Sequence, residues 1–209
     1  MTAPPIVPLN EEHAVVAAKL HQNGIETGFL SSLGQSFLKQ LYIAIPLCDC
    51  GFGYAWQEPD GEILGFIACA ESTGRLYKQA LRRRGIWMAM PLMRYLLHPS
   101  VLRRMWHTWR YPSQVGEDLP AAEVLSIAVS SEARGKGVGK ALMQAALAEF
   151  AQRGINKVKV AVWEGNEAAN SFYKRCGFEL ALPHKHHGLP MNIYTIIELA
   201  DVLLGTKTR

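Results

Sequence analysis

The spacing of apolar and polar residues changes along the chain, and each change predicts a different element. In the first quarter, apolar residues recur at intervals of three and four, as on one face of a helix. This spacing predicts a helix that Asn10 caps at its N-terminus and that ends near Gly24. A second helix is predicted over Ser31–Ile45, and Pro46 ends it because proline lacks the amide hydrogen that a helix interior needs.

Short apolar runs bounded by turn residues predict strands in the rest of the chain. Phe52–Gln57 and Ile63–Ala70 flank a Glu-Pro-Asp-Gly sequence that is typical of a hairpin turn. After Ala122, strands and helices alternate, which predicts a mixed sheet with helices packed against it, an α/β (α+β) fold. The predicted strands there are Glu123–Val129, Lys157–Trp163, Phe178–Leu182 and Asn192–Glu198, and the predicted helices are Lys136–Arg153 and Glu167–Arg175.

Residues 72–119 differ from the rest of the chain in pattern and in charge. Clusters of arginine alternate with apolar residues and tryptophans, and acidic residues are few. We predict helices over Leu76–Leu97 and Ser100–Arg110, interrupted by Pro91 and by a His-Pro pair. A packed helical hairpin is the favoured interpretation, because a helix with one apolar face usually packs on its own domain. A substrate lid and an amphipathic surface for a membrane or protein partner are the alternatives.

Composition narrows the class of protein. The 209 residues are 49% hydrophobic and 19% charged, which predicts one globular domain over 1–209 with an insertion at about 72–119. Four cysteines without a CxxC pair argue against a disulfide scaffold and a zinc ribbon, and we expect no metal. The net charge of +4 is too small for a dedicated nucleic-acid binder. Because the N-terminus lacks the pattern of a secretory signal and the apolar stretch Ile86–Leu97 is too short to span a bilayer, we expect a cytoplasmic protein.

The candidate chemistry begins at a glycine-rich turn between a predicted buried strand and a predicted helix. The turn runs from Arg134 to Lys140 as Arg-Gly-Lys-Gly-Val-Gly-Lys. Glycines let a ligand approach the backbone closely, and free amides at a helix N-terminus attract an anion such as a pyrophosphate. A P-loop is excluded because Arg134 stands at its first glycine and Ala141 at its hydroxyl residue. A dinucleotide-binding loop is excluded because Lys140 stands at its third glycine.

Two motifs occur in order over this half of the chain. The first, V-x-x-x-x-[RQ]-x-x-G-x-[GA], runs from Val129 to Gly139. The second, N-x-x-A-x-x-[FL]-Y-x-x-x-G-F, runs from Asn166 to Phe178. Together they resemble the core motifs of the GNAT superfamily of acetyl-CoA-dependent N-acetyltransferases. The resemblance is strong over residues 122–178 and leaves the insertion unexplained.

The resemblance implies a central mixed, mostly antiparallel sheet with a splayed strand pair and helices on both faces. It implies that acetyl-CoA is the cosubstrate, that its pantetheine arm pairs with the strand ending at Val129, and that the glycine-rich turn holds the pyrophosphate. Asn166 would help fix the arm near the thioester, and Tyr173 would face the sulfur. The cofactor-binding residues that the resemblance assigns are Ile127, Ala128, Val129, Arg134, Gly135, Lys136, Gly137, Val138, Gly139, Lys140, Asn166, Ala169, Phe172 and Tyr173.

Transfer of an acetyl group to an amine needs a base, a polarised carbonyl and a proton for the departing thiolate. By the resemblance, Tyr173 supplies that proton and the backbone N–H of Val129 polarises the carbonyl. Glu123 is the candidate base because it opens the motif strand, where histone-acetyltransferase members carry a glutamate. Alternation along the strand puts it on one face with Leu125, Ile127 and Val129. The alternatives are a packing role for Tyr173 and a solvent-facing Glu123, with water as the base.

Other candidates are weaker. His184, His186 and His187 cluster between two predicted strands, where a solvated hairpin tip is favoured over a metal site. Cys176 is interpreted as a packing residue, because direct transfer needs no nucleophile. The acceptor is an unidentified amine of a small molecule or peptide. A catalytically inactive CoA-binding regulatory module and a nucleic-acid-binding protein that uses the basic insertion are the alternative functions, and the sequence leaves a homodimer open.

Overall fold

The computed structural model describes residues 5–25, 29–93, 119–186 and 189–204, and its strands form a seven-stranded sheet. The strands are β1 (Ile6–Pro8), β2 (Gly51–Gln57), β3 (Ile63–Ala70), β4 (Ala122–Val129), β5 (Val158–Trp163), β6 (Glu179–His186) and β7 (Leu189–Ile196). Their order across the sheet is β1-β2-β3-β4-β5-β7-β6, and every neighbouring pair is antiparallel except β4 and β5. The predicted α/β fold with a mixed, mostly antiparallel sheet is confirmed.

Helices cover both faces of the sheet. In the described residues they are α1 (Ala14–Gly24), α2 (Phe29–Ser32), α3 (Gln35–Leu47), α4 (Thr73–Leu92), α5 (Val138–Gln152), α6 (Glu167–Arg175) and α7 (Leu199–Leu204). α1, α3 and α4 pack on one face, around Phe66 and Ala68 of β3. α5, α6 and α7 pack on the other face, around Ile67 of β3 and Val160 of β5. Because side chains of a strand point alternately to opposite faces, the central strand β3 contributes to both cores.

β4 and β5 run side by side for two residue pairs. Ala122 lies beside Val158 and Glu123 lies beside Lys159, and beyond these pairs the two strands separate. On its other edge β4 stays paired with β3 as far as Val129. The splay that the resemblance implies is therefore present, and it opens the sheet along the carboxyl-terminal half of β4.

A β-bulge in β4 changes which of its side chains share a face. Two consecutive residues of β3 pair with Ser126 and with the β4 residue two positions before it. Leu125, which lies between these two residues of β4, therefore has no partner on β3. Because of this extra residue, Glu123 and Leu125 face α1, α3 and α4, whereas Ile127 and Val129 face α5. The prediction that strict alternation puts Glu123 on the face of Ile127 and Val129 is wrong, since it did not anticipate the bulge.

The N-terminal helices differ from the predicted ones at their ends. Asn10 does not cap α1. Its Oδ1 accepts the backbone N–H groups of Glu12 at 3.0 Å and His13 at 3.3 Å, in a turn that precedes the helix. Gly34, with φ of 84°, separates α2 from α3 where one helix is predicted, because left-handed backbone cannot continue a right-handed helix. Pro46 lies inside the last turn of α3 instead of ending it.

α4 is the first part of the predicted insertion. It begins three residues before the predicted start at Leu76, and the Oγ of Ser72 caps it by accepting the N–H of Arg75 at 3.4 Å. The helix kinks at Arg84, where φ is −134° and ψ is 15°. The predicted continuation of this helix to Leu97, and the predicted helix after it, lie outside the described residues. Where the chain is described, no helix is long and apolar enough to cross a membrane.

The C-terminal hairpin is longer than predicted. β6 extends to His186 and pairs with β7, so His184 and His186 lie in a strand and not in a loop. The hairpin is confirmed, and only the placement of these two residues in a loop is wrong, because their backbones pair with β7 up to the turn. His187 lies outside the described residues. α7 was not predicted, and Asn156 caps it by accepting the N–H of Leu199 at Oδ1, 2.9 Å away.

Candidate active site

The splay of β4 and β5 opens into a cleft of about 1250 Å³. One end of the cleft is formed by the glycine-rich turn and by residues of α5 and α6, and we call it the turn end. The other end is formed by residues of α1, α3, the start of α4 and the beginning of β4, and we call it the helix end. Large concave sites of this kind are where small ligands and cofactors bind.

The glycine-rich turn presents backbone amides to the cleft. The N–H groups of residues 137–140 have no acceptor among the described residues, since α5 begins at this point. Gly135 and Gly137 have φ values of 77° and 85°, and a Cβ at either would meet open space. Arg134 and Lys140 line the same end of the cleft. Free amides at a helix N-terminus carry partial positive charge, so the turn end suits an anionic group such as a pyrophosphate.

Backbone groups on one edge of β4 also face the cleft. The N–H of Ser130 donates to the carbonyl of Leu64 at 2.8 Å, and alternate residues of an antiparallel strand bond to the same neighbour. Ala128 therefore points its backbone groups toward β3, whereas Ile127 and Val129 point theirs into the splay. An amide-bearing chain that entered the cleft would find its backbone partners on Ile127 and Val129.

Tyr173 projects from α6 into the wall of the cleft and is 6% exposed. Its ring lies 5.4 Å from the ring of Phe172, 5.8 Å from Phe178 and 6.4 Å from Tyr194, measured between centroids. Burial raises the pKa of the Tyr173 hydroxyl above its usual range. The hydroxyl therefore keeps its proton at neutral pH and is available as a proton donor.

Asn170, which the sequence analysis did not single out, ties α6 to the sheet. Its Nδ2 donates to three backbone carbonyls and its Oδ1 accepts from two side chains. The carbonyls belong to Trp163, Glu164 and Asn166, at 3.1, 3.1 and 2.7 Å, and the donors are Asn192 Nδ2 at 2.8 Å and the Tyr194 hydroxyl at 3.0 Å. Asn166 in turn caps α6, because its Oδ1 accepts the N–H of Ala169 at 3.0 Å. These contacts hold Tyr173 at a defined place beside the cleft.

Glu123 lines the helix end of the cleft and is 7% exposed. Its Oε2 accepts a hydrogen bond from the Thr73 hydroxyl at 2.6 Å, and Lys159 Nζ lies 3.8 Å from the same oxygen. Burial raises the pKa of Glu123, and Lys159 and Thr73 oppose that rise without cancelling it. The alternative of a solvent-facing Glu123 is wrong. Lys159 was not predicted, since a lysine that alternates with valines along a strand is typical of a solvent-facing position, and only the structure shows that it is buried.

A second polar group at the helix end joins α1, α3 and β4. His21 Nδ1 and the Tyr42 hydroxyl share a hydrogen bond, and the Tyr42 hydroxyl shares another with Ser126 Oγ at 2.9 Å. All three side chains are buried and line the cleft. Burial lowers the pKa of His21 to about 4, so the imidazole is neutral at pH 7. This hydrogen-bonded group was not predicted, because His21 and Tyr42 lie on predicted helices, where only the helical spacing of apolar residues is informative.

The neutral state of His21 makes stability depend on pH. Because the folded protein holds the pKa near 4 and the unfolded chain restores it to about 6.5, this stability is present above pH 6.5 and is lost as the pH falls toward 4. We expect His21 to remove about 2–3 kcal/mol of unfolding free energy between pH 7 and pH 4.5. Urea denaturation of the wild type and of His21→Gln at both values measures the difference, and equal losses in the two proteins would contradict it.

The cleft brings together most of the residues predicted for the site. Both catalytic candidates, Glu123 and Tyr173, line it, and so does every predicted cofactor-binding residue except Lys136. Cys176 lines it as well, but burial raises the pKa of its thiol to about 11. The thiol is therefore protonated at neutral pH, as expected for a packing residue and not for a nucleophile.

Comparisons with known proteins agree with this geometry. The sequence model of the Acetyltransferase (GNAT) family matches residues 28–178, most of the chain. The mycothiol acetyltransferase of Thermobispora bispora is 43% identical over 63 residues, which are 30% of this chain and 21% of that relative. The five curated mycothiol acetyltransferases that match are covered over only 20–27% of their own length, so the chain spans about a quarter or less of these relatives.

Solved structures extend the likeness to nearly the whole chain. An N-acetyltransferase from Staphylococcus aureus is 15% identical, with a TM-score of 0.62 over 95% of this chain and 99% of that one. The spermidine N-acetyltransferase of Vibrio cholerae, solved as a mutant, is 14% identical, with a TM-score of 0.59 over 97% of this chain and 99% of that one. At such low identity the likeness is one of fold.

Proposed function

The chain belongs to the GNAT family of acetyltransferases, and from that membership we propose that it transfers the acetyl group of acetyl-CoA directly to a primary amine of a small molecule or peptide in the cytoplasm. The observation that carries the proposal is the cleft itself. A row of free amides and an open strand edge lie at one end, a buried carboxylate lies at the other, and a protonated tyrosine lines the wall. An anionic cosubstrate and a cationic acceptor suit these opposite ends.

The residues of the turn end fit acetyl-CoA. The amides of residues 137–140 and the side chains of Arg134 and Lys140 would hold the pyrophosphate, and the backbone groups of Ile127 and the carbonyl of Val129 would pair with the amides of the pantetheine arm. When bound, acetyl-CoA supplies the thioester whose acetyl group is transferred. Asn166, Ala169 and Phe172 line the cleft wall and would flank that arm.

Three groups of this chain then serve the transfer. The Glu123 carboxylate takes a proton from the acceptor ammonium, which leaves the amine with a free lone pair. The N–H of Val129 donates to the carbonyl oxygen on which negative charge develops. The Tyr173 hydroxyl supplies the proton that the departing thiolate takes up. The directions of the two pKa shifts support these roles, because burial makes the Glu123 carboxylate a stronger base and keeps the Tyr173 hydroxyl protonated.

The acceptor is the open part of the proposal. By their names, one relative described above is a mycothiol acetyltransferase and one structural neighbour is a spermidine N-acetyltransferase. Because the two names point to different acceptors, the comparisons do not identify the acceptor of this chain. The helix end combines one carboxylate with hydroxyls of Tyr42, Thr73 and Ser126, which favours a polar amine. A thiol-release assay with acetyl-CoA and a panel of polyamines, aminoglycosides, amino acids, nucleotide sugars and peptides tests the proposal. If the protein binds CoA but no amine causes thiol release from acetyl-CoA, the chain is a CoA-binding regulatory module.

The base assignment has a test of its own. We expect Glu123→Gln to lower kcat/KM about tenfold at pH 7, since water in the cleft takes over part of the proton transfer. The loss should shrink as the pH rises above the pKa of the acceptor amine, where free amine is abundant. A profile of kcat/KM from pH 6 to pH 10 measures it. A uniform loss would instead mean that Glu123 positions the acceptor, and no loss would leave water as the base.

A further inference from the structure

Glu123 and Lys159 are neighbours across the two strands that begin the splay. They are Cα partners in the short parallel pairing of β4 and β5, and their side chains project from the same face of the sheet. Both are buried, at 7% exposure each. The two charged side chains are therefore held beside each other in the interior of the protein.

All the partners of the Glu123 carboxylate bind the same oxygen. Thr73 donates to Oε2 at 2.6 Å and Lys159 Nζ lies 3.8 Å from Oε2, while Oε1 has no partner among the described residues. Lys159 Nζ also donates to the carbonyl of Pro120, which fixes the ammonium beside β4. The carboxylate is thus anchored through one oxygen and leaves the other unused.

Oε1 of Glu123 has no partner among the described residues but is not one of their fully buried unpartnered atoms, so it keeps some exposed surface, and Glu123 lines the cleft. Glu123 and Thr73 line its wall, whereas Lys159 lies behind that wall and does not line it. The ammonium can therefore influence the carboxylate without competing with an acceptor for space. A cation within the cleft would repel an ammonium acceptor. Lys159 repels it less, because it lies behind Glu123 and the carboxylate partly neutralises its charge.

We propose that Lys159 is a positioning residue for the transfer: with Thr73 it holds Oε2 of Glu123, keeps the buried carboxylate ionised, and leaves Oε1 as the atom that takes the acceptor's proton. The inference rests on the proposed function, in which Glu123 is the base. In this step the N–H bond of the acceptor ammonium breaks, an O–H bond forms at Oε1, and the electron pair stays on nitrogen.

The groups that face the carboxylate set the sign of the expected pH effect. Lys159 from β5 and the Thr73 hydroxyl from α4 favour the ionised form, and burial favours the protonated form. Tyr77 of α4 is neutral because burial and Glu123 both raise the pKa of its hydroxyl. Ala70, the partner on β3, is apolar, and His21 and Tyr42 of α1 and α3 are neutral at pH 7. Lys159 is therefore the one cation here among the described residues.

Removing the Lys159 charge should move the titration of Glu123 upward. Opposite charges at this distance lower a carboxyl pKa by about 1–3 units, so Lys159→Met should raise the midpoint by about one unit or more. Carbon-13 NMR of protein labelled at the glutamate carboxyl carbon reads the midpoint directly, with Glu123→Gln identifying the signal. The acid limb of kcat/KM against pH should move in the same direction. Thr73→Val should produce a smaller shift in both measurements.

Matched variants separate positioning from stability. Lys159→Arg keeps the cation and should restore the wild-type midpoint, and Lys157→Met removes an exposed lysine nearby and should leave it unchanged. If Lys159→Met does not fold, the shift in Thr73→Val decides. A midpoint that stays unmoved in the folded variants, while the wild type turns over, overturns this inference alone. A wild type that releases no thiol with any amine overturns the proposed function and this inference with it.

Discussion

Replacing Gly139 with valine is expected to abolish the rise in melting temperature that coenzyme A confers on the protein. At a hundredfold excess over Kd, a ligand stabilises the folded state by about 2.7 kcal/mol, which is about 5–10 °C for a chain of this size. Gly139 lies in the first turn of α5, and a Cβ there would already contact Phe172 and Val129 at 3.6 Å. The branches of valine would extend this contact into the turn end, where the pyrophosphate must approach the amides.

Gly139 is a better test position than the neighbouring glycines. Gly135 and Gly137 have positive φ, so a side chain there strains the backbone and lowers stability whether or not a ligand binds. Gly85→Ala is the matched control, because a Cβ at that helical position meets open space far from the cleft. Differential scanning fluorimetry with and without coenzyme A compares the three proteins. A full shift in Gly139→Val would mean that the turn does not hold the pyrophosphate.

Tyr173→Phe should lower kcat about 10²-fold while leaving the affinity for acetyl-CoA almost unchanged. Positioned general acids contribute about 10²–10⁴-fold, and this change removes only the hydroxyl that donates the proton. The ring contacts with Phe172 and Phe178 remain, so the melting temperature should change little. Steady-state thiol release with the best acceptor gives kcat, and titration calorimetry gives the affinity.

Tyr54→Phe is the matched control for this change. The Tyr54 hydroxyl donates to Glu149 at 3.0 Å and does not line the cleft, so its loss should leave kcat unchanged. An unchanged kcat in Tyr173→Phe, with chemistry shown to limit turnover, would mean that Tyr173 only packs between α6 and the sheet.

The fold was predictable where local pattern and local chemistry agree. β3 and α6 have the predicted bounds, because the first is a continuous apolar run and the second begins at an asparagine cap and ends before a glycine. The bulge at Leu125 was not predictable, since it is defined by which residues of β3 oppose β4. It moves Glu123 away from the face that simple alternation assigns to it.

The site was predictable to the extent that its residues lie in two continuous motifs. The turn from Arg134 to Lys140 and the helix that carries Tyr173 both border the cleft, because each motif contains its own turn and helix start. The pairs that tune the chemistry join distant parts of the chain. Thr73 and Glu123, which form a hydrogen bond, are 50 residues apart in the sequence, and Tyr42 and Ser126, which form another, are 84 residues apart. The pattern of residues along the chain does not indicate contacts over such separations.

The short pairing of β4 and β5 has a consequence for the shape of the cleft. In the described part of the sheet, these two residue pairs are the junction between strands β1–β4 and strands β5–β7. The two parts of the sheet are joined at this short pairing, and the Glu123–Lys159 ion pair lies in it. Because the two strands diverge from this junction, the gap between them is narrowest near the carboxylate and widens toward the turn end. The turn end therefore has room for a large cosubstrate, while the two buried charges stay side by side where the strands are paired.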